Sequence, residues 1–264
     1  MRQRRLLLAL AGVLAVLLVV VVVVGLHRQH REPGSRPVAE LPPGPVVLVP
    51  GYGGSRTGLE QLAARLQVAG RQTLVLTLPG GGTGDLRDQA RALDAAVRGQ
   101  LDAGAPSVDV VGYSAGGVVA RLWAADLGGA KVARRVVTLG SPHHGTQLAG
   151  LAAAFVPGEC PLACQQLASG SPLLDGLPDT PAGPRWTSIW TRDDQVVRPP
   201  DSARLTGAVD VVVQDVCADA TTAHGTLPTD PLVTGLVLTA LDGPPLTAVP
   251  PASQCSSLRA LGTG

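Results

Sequence analysis

Ser114 stands in Gly112-Tyr113-Ser114-Ala115-Gly116, a G-x-S-x-G pattern with an apolar run, Val108–Val111, before it and a helical pattern, Ala115–Asp126, after it. A serine on a sharp strand-to-helix turn is lifted clear of its sheet, where it can act as a nucleophile. Small residues two positions to either side are required, because larger ones would strike the adjoining strand and helix. The start of the following helix also favours the negative charge that develops in acyl transfer. A serine alcohol needs a base. Of the five histidines, His27 and His30 lie close to the N-terminus and fit surface solvation. His143 and His144 sit in Ser141-Pro-His-His-Gly-Thr146, directly after a strand-like run, and His224 falls between the last strand-like run and the last helical one. In a sheet of this class the base comes late, on a loop reaching back over the nucleophile, so His224 is the expected base. His143 and His144 are the alternative; otherwise they belong to a polar loop that stiffens the pocket floor.

The carboxylate that orients the imidazole should lie between Ser114 and His224, at the C-terminal end of a strand. Trp186–Trp190 reads as such a strand, and Asp193 and Asp194 both follow it as candidates; Asp175, Asp179, Asp201 and Asp215 fit solvated turns and strand ends better. The attacked carbonyl oxygen needs backbone donors. Val46–Val49 runs into Pro50-Gly51-Tyr52-Gly53-Gly54-Ser55, and the N–H groups of Tyr52 and Ala115 are the expected pair. A dinucleotide-binding loop does not fit, since Arg56 stands where the third glycine is required. Pro79-Gly-Gly-Gly-Thr-Gly84 lacks the Lys-Ser/Thr of a phosphate-binding loop and reads as a plain turn.

These residues need a scaffold that brings several strand ends together. From Val46 onward, short β-rich runs alternate with longer helical patterns. Strands are expected at Val46–Val49, Thr73–Leu78, Val108–Val111, Val136–Leu139, Trp186–Trp190 and Val209–Val213. Leu59, Leu62, Ala63 and Leu66 recur at helical spacing before Gly70, and Leu86, Ala90, Leu93, Val97 and Leu101 do so after Asp85, a natural N-cap. Further helices fit Ala115–Asp126 and Pro231–Leu241. Strands apolar on both faces and alternating with helices imply an α/β sandwich whose mostly parallel sheet is covered on both sides.

Composition narrows the class. The chain has 264 residues, 45% hydrophobic and 16% charged, with net charge +1 and only 2% aromatics. The charge balance excludes a dedicated nucleic-acid binder, the scarcity of rings excludes stacking platforms, and the hydrophobicity excludes disorder. Residues 1–5 are basic. Leu6–Leu26 is an unbroken apolar run long enough to span a bilayer as a signal anchor, since about 20 apolar residues suffice. A cleaved signal peptide is the alternative, although no small-x-small cleavage site follows. Residues 27–45 form a Pro-rich linker, and 46–264 remain for a single α/β domain. Four cysteines, Cys160, Cys164, Cys217 and Cys255, all lie beyond the apolar run. Their even number implies disulfides in an oxidising compartment, with Cys160–Cys164 and Cys217–Cys255 the favoured pairing. The body is therefore expected outside the cell, either tethered by a single span or secreted. C-x-x-x-C without a second cluster is a poor metal site, so neither metal nor organic cofactor is expected.

The chain resembles a known family over Pro45 to Gly243. The order Ser114, Asp194, His224, the Val-Pro-Gly-Tyr-Gly-Gly loop and Leu139-Gly-Ser-Pro-His-His-Gly-Thr146 are similar to the small bacterial secreted lipases of the α/β-hydrolase superfamily. In those lipases the acid follows a Thr-Ser-Ile-aromatic strand and precedes two aliphatic residues. Aligned on Trp186–Trp190 and Val196-Val197, the resemblance implies Asp194 rather than Asp193. The family's usual His-Gly at the oxyanion loop is replaced by Pro50-Gly51, which removes any contact made by that histidine ring but keeps the backbone donor that follows. The resemblance implies an α/β-hydrolase fold and a monomeric serine hydrolase, a triacylglycerol lipase or carboxylesterase, acting on lipids or small esters. A thioesterase or acyltransferase with the same triad is the runner-up, and a non-catalytic binding module on the same scaffold is the reading from another class. The stretch Ala149–Arg185 is rich in Pro, Gly and Ser, so no long amphipathic lid is expected and interfacial activation should be weak.

Overall fold

The computed structural model describes residues 37–155 and 159–264. The expected basic N-terminus, the apolar run 6–26 and the linker as far as residue 36 lie outside the described residues. Among the described residues, no helix is long and apolar enough to cross a membrane.

Six strands form one sheet: β1 (Val46–Val49), β2 (Thr73–Val75), β3 (Val108–Tyr113), β4 (Ala133–Leu139), β5 (Arg185–Trp190) and β6 (Val209–Val212). Their order is β2-β1-β3-β4-β5-β6, and every neighbouring pair is parallel. Alternation along each strand sorts the side chains onto two faces. Val47, Val49, Val110, Val136 and Trp186 pack with helices α2 (Leu86–Asp102) and α3 (Ala115–Asp126). Val46, Leu48, Val111, Val137, Leu139, Ile189 and Val211 pack on the other side, against α1 (Thr57–Val68) and the late helices. Two faces that both lie under helices explain why the strands are apolar without interruption. The helices follow their apolar spacing: α1 buries Leu59, Leu62, Ala63 and Leu66, and α2 buries Leu86, Ala90, Leu93 and Val97. The Asp85 carboxylate caps α2 by accepting the Arg87 N–H at 2.9 Å.

Strand β2 stops three residues earlier than its apolar pattern suggests. It lies at the sheet edge with only β1 beside it, and β1 itself ends at Val49. The Leu76 N–H still reaches the Leu48 carbonyl at 2.9 Å, after which Leu76 and Leu78 turn into the core beside α2. Between β4 and β5 the described chain forms three short helices, α4 (Gln147–Phe155), α5 (Leu162–Gln166) and α6 (Pro172–Asp175), the longest only nine residues. After β6 come α7 (Val213–Val216), α8 (Pro231–Leu241) and α9 (Cys255–Thr263). Helix α9, beyond the stretch covered by the family resemblance, packs on α8 and buries Leu258.

The cysteines pair as expected. Cys160 bonds to Cys164 across the start of α5, and Cys217 bonds to Cys255, joining α7 to α9, with Cα separations of 5.3 and 5.2 Å. At the N-terminal end of the strands, the fully buried Asp109 of β3 accepts from Arg71 at 2.5 Å and from Arg134 at 2.6 Å. Arg71 also binds the Gly44 carbonyl and Asp242, which clamps the approach to β1 against the end of α8.

Candidate active site

The strand order reverses at β1: the chain steps outward to β2 and then crosses back to β3. In such sheets the crevice beyond the C-terminal strand ends at that point is the natural place for a ligand. Here it is walled by the Gly51–Ser55 loop after β1 and by Ser114 after β3.

Ser114 adopts φ 52°, ψ −126°, and no other described non-glycine residue has positive φ. That conformation costs on the order of 1–3 kcal/mol and persists only where the surroundings impose it. Its N–H donates to the Leu139 carbonyl at 2.8 Å, and its carbonyl accepts the Gly117 N–H at 3.0 Å. The flanking glycines are sterically required. A Cβ on Gly112 would lie 2.6 Å from the Gly116 oxygen, and one on Gly116 would lie 2.6 Å from the Pro50 oxygen.

His224 and Asp194 arrive from two other strand ends. His224 opens a short 3-10 turn, His224–Thr226, after α7, and its Nε2 is 3.1 Å from Ser114 Oγ. Its Nδ1 is 2.7 Å from Asp194 Oδ2, in the loop after β5. A carboxylate can only accept, so Nδ1 carries the proton and Nε2 is left to accept from the serine hydroxyl. The other Asp194 oxygen accepts the Val196 and Val197 N–H groups at 2.8 and 2.7 Å, and all three side chains are buried. Asp193 points elsewhere: it is exposed and accepts from Gln214 at 3.2 Å. The His224 loop is tethered to the Asp194 loop, since Thr191 Oγ1 donates to the Thr222 carbonyl at 2.7 Å. Thr222 in turn donates to Asp230, the N-cap of α8.

Neither the Tyr52 N–H nor the Ala115 N–H has an acceptor among the described residues. Ala115 opens α3 directly behind Ser114. The Pro79–Gly84 segment is more than a plain turn. Gly80, Gly81 and Gly82 have φ of 59°, 62° and 72°, and Gly82 lies so close to the Tyr52 loop that a Cβ there would be 2.7 Å from the Gly54 nitrogen. The turn therefore buttresses the loop that carries the Tyr52 N–H through backbone contact that side chains would prevent.

His143 and His144 are not at Ser114. His143 is fully buried, its Nε2 3.1 Å from Thr138 Oγ1 and its carbonyl accepting from Arg121 at 2.7 Å. Burial, reinforced by the nearby Arg121 and His144 charges, pushes its imidazole well below the ordinary value, so it is neutral. His144 faces outward, 3.1 Å from the Arg204 carbonyl. The loop's last residue, Thr146, donates to the Val196 carbonyl at 2.8 Å and accepts from the Arg198 N–H at 3.1 Å, which ties it to the Asp194 loop.

Two contributors carry no signal in the sequence pattern. Tyr113, the variable residue before the serine, donates to the His224 carbonyl at 3.2 Å, with ring centroids 5.3 Å apart. Burial, and then the Asp194 charge, push its phenol up to about 12. Its rarity was the one available hint, because the chain holds two tyrosines. Arg121, on α3, is buried and donates to the carbonyls of Pro178, His143 and Leu177, each at 2.7 Å. It pins the 141–146 loop and the chain after α6 to the helix that follows Ser114.

A cleft of about 320 Å³ opens beside Ser114, lined by Tyr52, Thr146 and mostly apolar side chains. A larger depression of about 490 Å³ lies among residues 43–45, 70–72 and 103–106, which precede β1, β2 and β3. It is therefore at the opposite end of the sheet from Ser114 and, among the described residues, gathers no nucleophile.

No curated protein sequence matches the chain. Among solved structures, it is similar to the Bacillus licheniformis lipase BlEst2 in mature form, with 20% identity and a TM-score of 0.63 over 80% of this chain and 96% of that one. Aspergillus fumigatus lipase B aligns with 20% identity and a TM-score of 0.66 over 88% of this chain, which spans 59% of the fungal protein. The phospholipase PlaB from Legionella pneumophila aligns with 16% identity and a TM-score of 0.57, over 82% of this chain and 62% of that one. At these identities the likeness concerns the fold. The sequence profile of the alpha/beta hydrolase family matches residues 46–261, and the chain belongs to that family.

Proposed function

We propose that the chain is a serine hydrolase of carboxylic esters, a lipase or carboxylesterase, with Ser114 as nucleophile, His224 as base and Asp194 as the orienting acid. The observation that carries this reading is the unbroken hydrogen-bond line from Ser114 Oγ through the imidazole to Asp194, at 3.1 and 2.7 Å. Family membership supports hydrolase chemistry, and the neighbours named as lipases support the fold on which it runs.

In the reaction, His224 Nε2 takes the hydroxyl proton as Ser114 Oγ attacks the ester carbonyl. The Tyr52 and Ala115 N–H groups hold the oxygen as it becomes negative, and loss of one such donor costs about 10²–10³ in rate. Asp194 stabilises the imidazolium and keeps its own oxygens unprotonated. His224 then protonates the departing alcohol, leaving the acyl group on Ser114. Water, activated by the same imidazole, attacks that ester and frees the acid. The residues for each of these steps come from the chain itself.

We infer further that the body works outside the cytoplasm, which the two disulfides support. Fractionation of cells distinguishes a body tethered through residues 6–26 from one released after their removal. The chemistry itself is tested with a fluorophosphonate probe on the full chain. Labelling of the wild type that is lost in Ser114→Ala, together with ester hydrolysis lost in the same variant, is expected. A wild type that neither labels nor hydrolyses any ester would overturn the reading.

A further inference from the structure

His224 is carried on a 3-10 turn of three residues, His224–Thr226, a kind of helix whose hydrogen bonds are poorly aligned. Within it the Leu227 N–H closes on the His224 carbonyl at 3.3 Å, and Thr226 Oγ1 accepts the Ala223 N–H at 3.1 Å. From outside the turn, Tyr113 takes hold of His224 twice. Its hydroxyl donates to the same His224 carbonyl at 3.2 Å, and its ring lies 5.3 Å from the imidazole, centroid to centroid, at a tilt of 36°. Tyr113 is itself fixed. It closes β3 opposite Leu139 of β4 and packs against the buried face that carries Leu139 and Leu227. Its phenol, pushed up to about 12 by burial and then by the Asp194 charge, stays an uncharged donor at neutral pH.

We propose that Tyr113 is a positioning residue for His224, its hydroxyl holding the backbone and its ring flanking the imidazolium that forms in the reaction; the inference rests on the ester-hydrolase reading above. Three groups meet the imidazole: Ser114 at Nε2, Asp194 at Nδ1 and Tyr113 at its side. The first two take part in the proton's path. Tyr113 acts through placement and through its ring, since a cation within about 6 Å of an aromatic centroid is attracted to it. The two halves of the reaction depend on this support unequally. Neutral His224 takes the Ser114 proton whatever the ester, but only an alkoxide needs that proton returned by the imidazolium before it can leave. A p-nitrophenoxide departs as the anion. A poorly held His224 therefore costs more on alkyl esters than on p-nitrophenyl esters.

The test uses the full-length protein with the ethyl and p-nitrophenyl esters of one short-chain acid, and rates are divided by the amount of Ser114 that a fluorophosphonate titrates. In Tyr113→Leu, kcat/KM should fall about a hundredfold on the ethyl ester, the order set by a displacement of about 1 Å, and about tenfold on the p-nitrophenyl ester. Tyr113→Phe keeps the ring and loses one hydrogen bond. It should fall about three- to tenfold on the ethyl ester and by less on the other. A change that merely lowered the folded fraction would cost both esters alike. Should Tyr113→Leu fail to fold, the same contrast between esters is read from Tyr113→Phe. Equal losses on the two esters, or a Tyr113→Phe variant that matches either the wild type or Tyr113→Leu, would overturn the assignment. A wild type that neither labels nor cleaves either ester would instead strike at the hydrolase reading, and the role of Tyr113 would fall with it.

Discussion

At the scale of single residues, the site turns on which atoms face which. Asp193 and Asp194 are adjacent, yet only Asp194 has one oxygen on His224 and the other on two backbone N–H groups. Asp194→Asn should preserve the fold and lower kcat by about 10⁴, the order expected when the imidazole is left in the wrong tautomer, whereas Asp193→Asn should change it less than about threefold. Steady-state kinetics on both variants, with circular dichroism as the folding control, checks this; equal losses would contradict the assignment. His143 makes a second prediction, about stability. Above about pH 6.5 the imidazole is neutral both folded and unfolded and adds no pH dependence. Below that, the unfolded chain takes up a proton that the buried ring refuses, since burial holds its folded value well down. Stability therefore falls with acid, by up to about 1.4 kcal/mol per pH unit from this group, until the folded value is reached. Urea titrations between pH 7 and 5 should give a shallower decline for His143→Gln, and identical slopes would contradict it.

At the scale of elements, the elbow and the buried ion cluster bear different loads. Gly116 faces the end of β1, so Gly116→Ala would press a methyl group onto the Val49 and Pro50 carbonyls. The expected cost is about 1–3 kcal/mol from overpacking, with a loss of activity of tenfold or more because the displaced loop carries the Tyr52 N–H. Thermal melts and kcat on the purified variant test both parts, and a stable, fully active Gly116→Ala would refute them. Asp109 lies at the far end of β3, between Arg71 and Arg134. Removing the carboxylate leaves two arginines without their buried partner, so Asp109→Ala should cost about 3–5 kcal/mol without changing kcat of the folded fraction. Denaturant melts paired with active-site titration separate the two quantities. The main elements were legible in the chain because apolar spacing is written locally: α1, α2, α3, α8 and all six strands stand where their periodicity puts them, to within a few residues. Strand β2 ended early and α9 went unread for the opposite reason, since each depends on a neighbour. One lost its partner strand, and the other has its place against α8 and a disulfide from α7.

At the scale of the whole molecule, two disulfides staple helices outside a sheet whose central strands β3 and β4 also carry the buried ion cluster. The Cys217–Cys255 bond spans a separation of 38 residues. By chain entropy it stabilises the fold by about 4 kcal/mol, and its loss should lower the melting temperature by about 10 °C. Calorimetry of Cys217→Ala/Cys255→Ala against the oxidised wild type measures this, and a shift within about 2 °C would show that the bond is not a staple. Fully reduced wild type should melt lower still, because Cys160–Cys164 opens as well.

The sequence by itself determined the alternation of strands and helices, the elbow around Ser114 and the chain order of that serine, an aspartate pair and a late histidine. All of these follow from local spacing and from residue types that few other structures require. Tertiary structure alone decided that the second Asp194 oxygen is held by the Val196 and Val197 N–H groups, that Tyr113 sits against the back of His224, and that His143 is sealed in as a neutral spacer. It also decided that Gly81 and Gly82 come up against Gly54 in the loop bearing the Tyr52 N–H. Most of these depend on groups far apart in the chain coming within about 3 Å, the reach of a hydrogen bond, and spacing along the chain carries no record of such encounters.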